Sequence, residues 1–267
     1  MARGEGPDVA ASARARGKVE RLPDRARAQR AFWDGVYRRD PDYFGRRPSP
    51  FARWALARLD GTGAGRSMVE LGCGGGRDSA YFARRGFVVH AIDVAPHATD
   101  AAVRSLARLR GGPGAHAVET NDARAALERR PPGSLDAVYS CLFLNMDFDR
   151  REHAALYRAA RRALRPRGLH LYSVRSVDDP WYGRGRRVGP DRYRLGPGGP
   201  TVHFFSREYA RTLAIDSGFR PEAAEGRAEG GREFPIRVMY VADRAVPPAP
   251  APPGARPAGL PLDRTPR

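Results

Sequence analysis

Three glycines at alternate positions and two acidic residues lie close together in the first half of the chain. The segment Glu70-Leu71-Gly72-Cys73-Gly74-Gly75-Gly76 ends one short apolar run, and Asp93 ends the next. Glycines let the backbone turn tightly and approach a ligand with no Cβ in the way. A carboxylate at a strand tip can accept hydrogen bonds from both ribose hydroxyls of a nucleoside, each worth about 1.5–3 kcal/mol. The spacing therefore predicts a binding site for a molecule that contains a nucleoside.

The elements that must position these residues alternate between short apolar strands and helix-length stretches. Strands that alternate with helices pair in parallel, because a parallel connection requires a long crossover. In such sheets ligands bind beyond the carboxyl ends of the strands, which is where the glycine segment and Asp93 lie. The first five predicted strands are residues 67–71, 87–92, 115–119, 135–140 and 169–174.

The pattern changes towards the end of the chain. Apolar residues at helical spacing predict a helix through residues 156–164 that Pro166 and Gly168 end, and Ser206 can cap another helix that runs to Gly218. Two strand-like segments follow, Phe219 to Ala224 and Ile236 to Ala242, joined by the Gly230-Gly231 link. We therefore predict an α/β, Rossmann-like sheet of seven mostly parallel strands with an antiparallel last strand and helices on both faces.

Composition divides the chain into a folded part and two tails. Residues 1–28 are rich in Arg and Ala and residues 246–267 in Pro, so we expect both to be disordered. Residues 29–245 form the predicted single domain. Within it, residues 178–200 are a long Gly-, Pro- and Arg-rich insertion, and loops of this length are usually functional or disordered. We expect the insertion to cover a substrate.

The formal net charge of +17 admits two interpretations. Clustered arginines neutralise the phosphates of nucleic acids, but only Lys18 among the 47 basic residues is a lysine, which favours a bias of codon composition. No run of about 18 apolar residues is present that would cross a bilayer. Two cysteines make neither a disulfide framework nor a metal cage. We expect a cytoplasmic monomer or simple homodimer without membrane or nucleic-acid partners.

The spacing of the glycines separates two classes of nucleoside cofactor. A dinucleotide site needs G-x-G-x-x-G, whose third glycine falls at Arg77, and its strand is normally apolar where Glu70 stands. The sequence instead reads Glu70-x-Gly72-x-Gly74-x-Gly76. It thereby resembles the class I S-adenosylmethionine-dependent methyltransferases, whose motif is E/D-x-G-x-G-x-G. The run from Leu71 to Gly86 and the segment Phe32-Trp33-Asp34 with Tyr37 resemble the small-molecule branch that includes tellurite-resistance and thiopurine-type enzymes.

The resemblance implies S-adenosyl-L-methionine as the cofactor and assigns residues to it. Asp93 holds the ribose, and Val94 lies beside the adenine. Asp122, followed by Ala123, caps the adenine amino group, while Ser140 and Cys141 lie beside the methionine portion. Trp33 and Tyr37 belong to a lid. The predicted cofactor-binding set is Glu70, Gly72, Cys73, Gly74, Gly76, Asp93, Val94, Asp122, Ala123, Ser140, Cys141, Trp33 and Tyr37.

The acceptor is harder to infer, because substrate contacts come from segments without a motif. We expect in-line transfer of a methyl group to an O, N or S atom of a small molecule, with His203 or His153 as a base for a hydroxyl acceptor. Trp181, Tyr182 and His203 are expected to face the acceptor. Three alternatives stay open: Cys141 as a nucleophile, an RNA-modifying enzyme or adaptor that uses the Arg-rich surface, and a non-catalytic cofactor-binding protein.

A metal site is the less favoured interpretation of one further segment. Asp147 and Asp149, in Asn145-Met146-Asp147-Phe148-Asp149, present carboxylates that suit a divalent cation. A solvated loop is the preferred interpretation, and we predict no metal.

Overall fold

The computed structural model describes residues 14–16, 24–109, 114–230 and 235–247. In chain order the elements are β1 (Arg14–Arg16), α1 (Asp24–Arg39), α2 (Pro50–Arg58), β2 (Ser67–Leu71), α3 (Arg77–Ala83), β3 (Val88–Asp93), α4 (Pro96–Leu106), β4 (His116–Thr120), α5 (Ala123–Glu128), β5 (Leu135–Cys141), α6 (Arg150–Ala163), β6 (Leu164–Arg175), β7 (Arg186–Gly189), β8 (Arg192–Arg194), β9 (Thr201–His203), α7 (Arg207–Asp216), β10 (Phe219–Gly230) and β11 (Pro235–Ala245).

The main sheet has the strand order β1-β4-β3-β2-β5-β6-β11-β10. Its strands from β4 to β6 pair in parallel, whereas β11 pairs antiparallel with both β6 and β10. The predicted Rossmann-like sheet with an antiparallel last strand is confirmed. Strand β2 lies between β3 and β5, so the glycine segment leaves the middle of the sheet where the strand order reverses.

Two apolar layers cover the faces of this sheet. One layer packs α5, α6 and α7 against the sheet, with Tyr157 and Phe205 among its fully buried side chains. The other packs α2, α3 and α4, with Phe51 and Phe82 in its centre. Helix α6 begins with a capping box between Asp149 and Glu152, and Ser206 caps α7 as predicted. Helices on both faces bury the parallel strands from water.

The structure differs from the sequence prediction at several boundaries. Helix α6 ends at Ala163, ahead of the proline and glycine that were expected to end it, because β6 already begins at Leu164. Strands β10 and β11 are longer than predicted, and Gly231 of their predicted link lies outside the described residues. Helix α1 begins at Asp24, inside the predicted tail 1–28, where Arg14–Arg16 also adds an edge strand. Most of the tail 246–267 lies outside the described residues.

The insertion 178–200 contains regular structure that its composition did not indicate. Strands β7, β8 and β9 form a separate three-stranded antiparallel sheet between β6 and α7. Its strands are only three or four residues long, so local periodicity is too short to predict them. Among the described residues, none of the helices is long and apolar enough to cross a membrane.

A buried carboxylate links three elements beneath the glycine segment. Asp78, on the first turn of α3, accepts hydrogen bonds from the Ser49 N–H at 2.7 Å, the Ser49 hydroxyl at 2.7 Å and the Tyr139 hydroxyl at 2.8 Å. Ser49 in turn caps α2 by accepting from the Ala52 N–H. Asp78 is 1% exposed, so these donors take the place of water around its charge. Helices α2 and α3 and strand β5 are thereby held in one arrangement.

We expect Asp78→Ala to lower the free energy of unfolding by about 3 kcal/mol or more, since three buried donors lose their acceptor at about 1–3 kcal/mol each. Urea unfolding followed by circular dichroism measures this change. Asp216→Ala, at the exposed end of α7, is the control and is expected to change stability by about 0.5 kcal/mol or less. Equal losses in the two variants contradict the role given to Asp78.

Candidate active site

Two adjoining cavities lie at the carboxyl ends of β2, β3, β4 and β5. The first, of about 110 Å³, is lined by residues that follow all four strands, and the second, of about 360 Å³, lies on the α3 side of the glycine segment. The residues that line both are Tyr37, Phe44, Gly72 and Cys141. Together they approach the size of a small-molecule site.

The glycine segment forms a turn that has no room for a side chain at its three motif glycines. Gly72, Gly74 and Gly76 have φ values of 69°, 53° and 77°, in the left-handed region that favours glycine. A Cβ at Gly72 would lie 2.7 Å from the ring of Phe143, and one at Gly74 would lie 2.1 Å from the Tyr37 hydroxyl. Gly76 abuts the backbone of α4 instead. The first two glycines therefore let aromatic side chains close directly over the turn.

Asp93 joins the end of β3 to the glycine turn. One carboxylate oxygen accepts from the Gly74 N–H at 3.0 Å and the other from the Ala95 N–H at 2.9 Å. Burial raises the pKa of this carboxyl, while these backbone N–H groups oppose the rise. Asp93 lines the first cavity. Each carboxylate oxygen retains a further lone pair, so Asp93 can also accept from a ligand.

Glu70 lies on the opposite side of the turn, in the wall of the second cavity. It is 2% exposed and accepts a hydrogen bond from the Ser79 hydroxyl of α3. Burial and the neighbouring charge of Asp78 raise the pKa of Glu70 well above its ordinary value. Cys73 also lines the second cavity and is buried.

The segment after β4 contributes a second acidic edge to the first cavity. Asp122 caps α5 by accepting from the Ala125 N–H at 2.9 Å, and it lines the cavity with Ala123 and Val94. Asn121 lines it too and was not among the predicted site residues. The structure thus places Val94, Asp122 and Ala123 together with Asp93.

The last two residues of β5 differ in their access to the cavities. Ser140 is fully buried and does not line either cavity, whereas Cys141 lines both. The Ser173 hydroxyl donates to the Cys141 sulfur at 3.5 Å, and burial raises the pKa of this thiol to about 12. Cys141 is therefore a neutral thiol, which does not suit a nucleophile.

Helix α1 crosses the cavities and carries Trp33 and Tyr37 into their lining. The helix is attached at two places. Asp34 accepts from the backbone N–H of His97 at 2.8 Å and contacts its ring at 2.9 Å, which ties α1 to α4. Gln29 accepts from the Asp147 N–H at 2.7 Å. These contacts place the aromatic residues of α1 over the glycine turn.

The two histidines predicted as bases lie behind the cavity wall, and among its described lining residues there is no histidine. His153 is fully buried, with one ring nitrogen 2.8 Å from the Tyr209 hydroxyl and the other 2.7 Å from the Leu144 carbonyl oxygen. Burial lowers its pKa to about 3. His203 is also fully buried and bonded to the Phe148 carbonyl. Both pack in the aromatic core rather than towards a substrate.

The predicted acceptor-facing residues of the insertion do not line the cavities either. Tyr182 is 37% exposed, and its ring packs against Tyr193 and Phe204. Side chains alternate between the two faces along β8, so Tyr193 points away from Arg192 and Arg194. Trp181 lies in the same turn as Tyr182, outside the described lining. Of the arginines in the insertion, Arg192 is buried, whereas Tyr182 is exposed.

The loop that follows β5 contributes lining residues that the sequence analysis missed. Leu142 has a φ of 55°, which is uncommon for a residue with a side chain, and it begins this loop. The loop supplies Leu142, Phe143, Met146, Asp147 and Phe148 to the first cavity. The available signal was its position, because a loop at the carboxyl end of a central strand faces the ligand site.

The two aspartates considered for a metal have protein partners. Asp147 forms an ion pair with Arg192, and Asp149 caps α6 and contacts Arg25 at 3.4 Å. In the described part of the chain, no group of three or more His, Cys, Asp or Glu residues could hold a metal ion.

Comparisons with known proteins agree with this geometry. Residues 68–168 match a family model described as a methyltransferase domain. A search of curated proteins found no match. Among solved structures, a SAM-dependent methyltransferase from Methanosarcina mazei has a TM-score of 0.62 at 18% identity, over 71% of this chain and 97% of that one.

Two other similar structures contain ligands. The 1,6-didemethyltoxoflavin-N1-methyltransferase of Burkholderia thailandensis, with bound 1,6-didemethyltoxoflavin and S-adenosylhomocysteine, has a TM-score of 0.61 at 19% identity, over 85% of this chain and 93% of that one. The magnesium protoporphyrin IX methyltransferase of Synechocystis PCC 6803, with bound SAM, has a TM-score of 0.57 at 16% identity, over 85% and 100%. Residues 68–168 therefore form a methyltransferase domain, and the chain has the Rossmann-like fold of the class I S-adenosylmethionine-dependent methyltransferases.

Proposed function

We propose that this methyltransferase binds S-adenosyl-L-methionine in the two joined cavities and transfers its methyl group to an O, N or S atom of a small-molecule acceptor. The proposal rests on one observation. Asp93 accepts a hydrogen bond from the glycine turn, and both line the first cavity at one edge of the sheet. The S-adenosylhomocysteine of the Burkholderia protein and the SAM of the Synechocystis protein support the cofactor, and the 1,6-didemethyltoxoflavin of the Burkholderia protein supports a small-molecule acceptor.

The residues present fit the two ends of this cofactor. We assign the adenosine end to the first cavity, where Asp93 accepts from the ribose hydroxyls and Asp122 from the adenine amino group. The amino-acid end fits the second cavity, whose walls combine Glu70 with arginines of several elements. An oxygen of Glu70 can accept a hydrogen bond from the ammonium group of the cofactor, and the Arg77 guanidinium can bind the cofactor's carboxylate.

The aromatic side chains above the turn limit the access of water to the reacting atoms. Tyr37 and Phe143 cover Gly74 and Gly72, and Trp33 lines the same cavity. When bound, the sulfonium supplies both the methyl group and a good leaving group. What the protein has to add is alignment of the acceptor and exclusion of solvent.

The acceptor end of the first cavity lies between α1 and the loop after β5. Gln29, Met146 and Phe148 line it with two carboxylates, Asp147 and Glu152. Asp147 is paired with Arg192 and Glu152 with Arg25. Both carboxylates are engaged by arginines, and the two predicted histidines lie outside the cavity lining, so we propose that positioning, rather than proton abstraction by a histidine, drives transfer to a soft or neutral acceptor atom.

We expect Asp93→Ala to weaken the binding of S-adenosylmethionine by 10-fold or more, because a charged hydrogen-bond acceptor contributes about 1.5–3 kcal/mol per bond. Isothermal titration calorimetry measures the affinity. Asp216→Ala, remote from the cavities, is expected to bind as the unaltered protein does. Absence of binding by the unaltered protein, or unchanged binding by Asp93→Ala, refutes the proposal.

Gly74→Ala tests the closure of Tyr37 over the turn. We expect it to weaken cofactor binding by about 10-fold, because the new Cβ overlaps the Tyr37 hydroxyl and the left-handed φ costs about 1 kcal/mol. The double variant Gly74→Ala, Tyr37→Phe lacks the overlapping oxygen and is expected to bind the cofactor more tightly than Gly74→Ala does. Tyr37→Phe alone is expected to change the affinity of the unaltered protein by less than about threefold. If the changes in binding free energy of the two single variants, measured by calorimetry, simply add up in the double variant, the contact between Gly74 and Tyr37 is excluded.

Alkylation of Cys141 tests whether a covalent step through its thiol is available. At pH 8 a thiol with a pKa of about 12 holds about a thousandfold less thiolate than a free cysteine. We therefore expect iodoacetamide to modify Cys141 about a thousandfold more slowly than glutathione, as followed by peptide mass spectrometry. The urea-unfolded chain is the control and reacts at the ordinary rate. Rapid modification of the folded protein restores Cys141 as a candidate nucleophile.

A further inference from the structure

A third cavity, of about 470 Å³, lies between α1 and the small sheet of β7, β8 and β9. We call it the arginine pocket, because Arg25, Arg186, Arg192 and Arg194 line it. It shares Gln29 and Asp147 with the first cavity of the active site. The arginine pocket therefore borders the acceptor end of that site.

Strand pairing concentrates positive charge in this pocket. Arg186 of β7 stands directly opposite Arg194 of β8 in the antiparallel register. Like charges at such a position repel each other. Both side chains are exposed, and no carboxylate in the described part of the chain forms an ion pair with either. The repulsion is relieved when an anion lies between them.

Arg192 supplies a directed donor at the same place. It is 9% exposed, and its guanidinium pairs with Asp147 through one terminal nitrogen. Its Nε–H is buried and has no hydrogen-bond partner among the described residues. A buried donor without an acceptor is unfavourable, and a guanidinium fits the paired oxygens of a carboxylate or phosphate. Arg192 thus favours an oxyanion as its further partner.

An apolar surface lies beside these charges. Phe32 of α1 lines the arginine pocket and packs edge-to-face on Trp33, with ring centroids 5.2 Å apart. Trp33 lines the first cavity. The aromatic pair therefore forms a continuous wall along α1 from the arginine pocket to the cofactor site.

We propose that the arginine pocket binds an anionic group, a carboxylate or a phosphate, of the methyl acceptor. This inference rests on the proposed function and specifies its substrate class. The anionic group binds to Arg186, Arg192 and Arg194, and the body of the acceptor packs along Phe32. Its reactive atom then lies beyond Gln29, in the first cavity.

The test uses three aromatic probes of similar size: benzoate, phenyl phosphate and neutral benzamide. Their dissociation constants are measured by saturation-transfer NMR on the full chain with S-adenosylhomocysteine. We expect at least one anion to bind 10-fold or more tightly than benzamide. The tighter of the two shows whether the pocket prefers a carboxylate or a phosphate. The double variant Arg186→Gln, Arg194→Gln loses this advantage, since each charge-assisted bond contributes about 10-fold or more.

A second double variant, Arg158→Gln, Arg211→Gln, is the matched control. It removes two exposed arginines from α6 and α7, outside all three cavities, and is expected to bind the anions unchanged. Equal binding of benzamide, undiminished binding by the pocket variant or an equal loss in the control overturns the inference. Binding of a single-stranded RNA oligonucleotide without binding of either small anion also overturns it.

Binding of S-adenosylhomocysteine is measured separately by calorimetry on all three proteins. Failure of the unaltered protein to bind it contradicts the proposed function. Normal binding of it together with no anion preference contradicts the arginine pocket alone. Normal binding of it by the pocket variant also shows that this variant is folded.

Discussion

The hydrogen bonds to the buried Asp78 carboxylate hold together the framework on which the candidate site stands. Donors from the start of α2 and from β5 surround this charge, and Asp78 itself belongs to the first turn of α3. A charge so deeply buried is tolerated only when it is fully paired, so the three elements have one favourable arrangement. The same helix supplies Ser79 to Glu70. The glycine turn therefore connects two elements, β2 and α3, whose relative position is already set by buried polar contacts.

Aromatic residues from two remote segments complete the site above this framework. Tyr37 comes from α1 and Phe143 from the loop after β5, and each occupies the space that a Cβ on Gly74 or Gly72 would take. The glycines thus serve the packing of the protein as well as the approach of a ligand. Because Asp34 ties α1 to His97 in the first turn of α4, closure over the turn is coupled to the position of that helix. Cofactor binding and the order of α1 are expected to depend on each other.

Charge is distributed unevenly around the cavities. Acidic residues line the first cavity, whereas arginines surround the second cavity and the arginine pocket. The pair between Arg192 and Asp147 joins the small sheet to the loop after β5. In the proposed function a common fold binds the cofactor, and the insertion between β6 and α7 contacts the acceptor. The proposed arginine pocket would give part of the high arginine content a local role beyond that of codon composition.

Local patterns in the sequence determined the succession of the central strands along the chain, the glycine turn of residues 72–76 and the position of Asp93 at the end of a strand. These features depend on neighbours in the chain, on apolar periodicity and on the φ values that only glycine adopts freely. The surroundings of other residues depended on contacts between distant segments. His203 became a core residue because helices α6 and α7 enclose it. Arg192 faces inward while Tyr193 points the other way, because strand pairing sets which side of β8 is covered. Burial and register are properties of the assembled chain, so only the tertiary structure decided them.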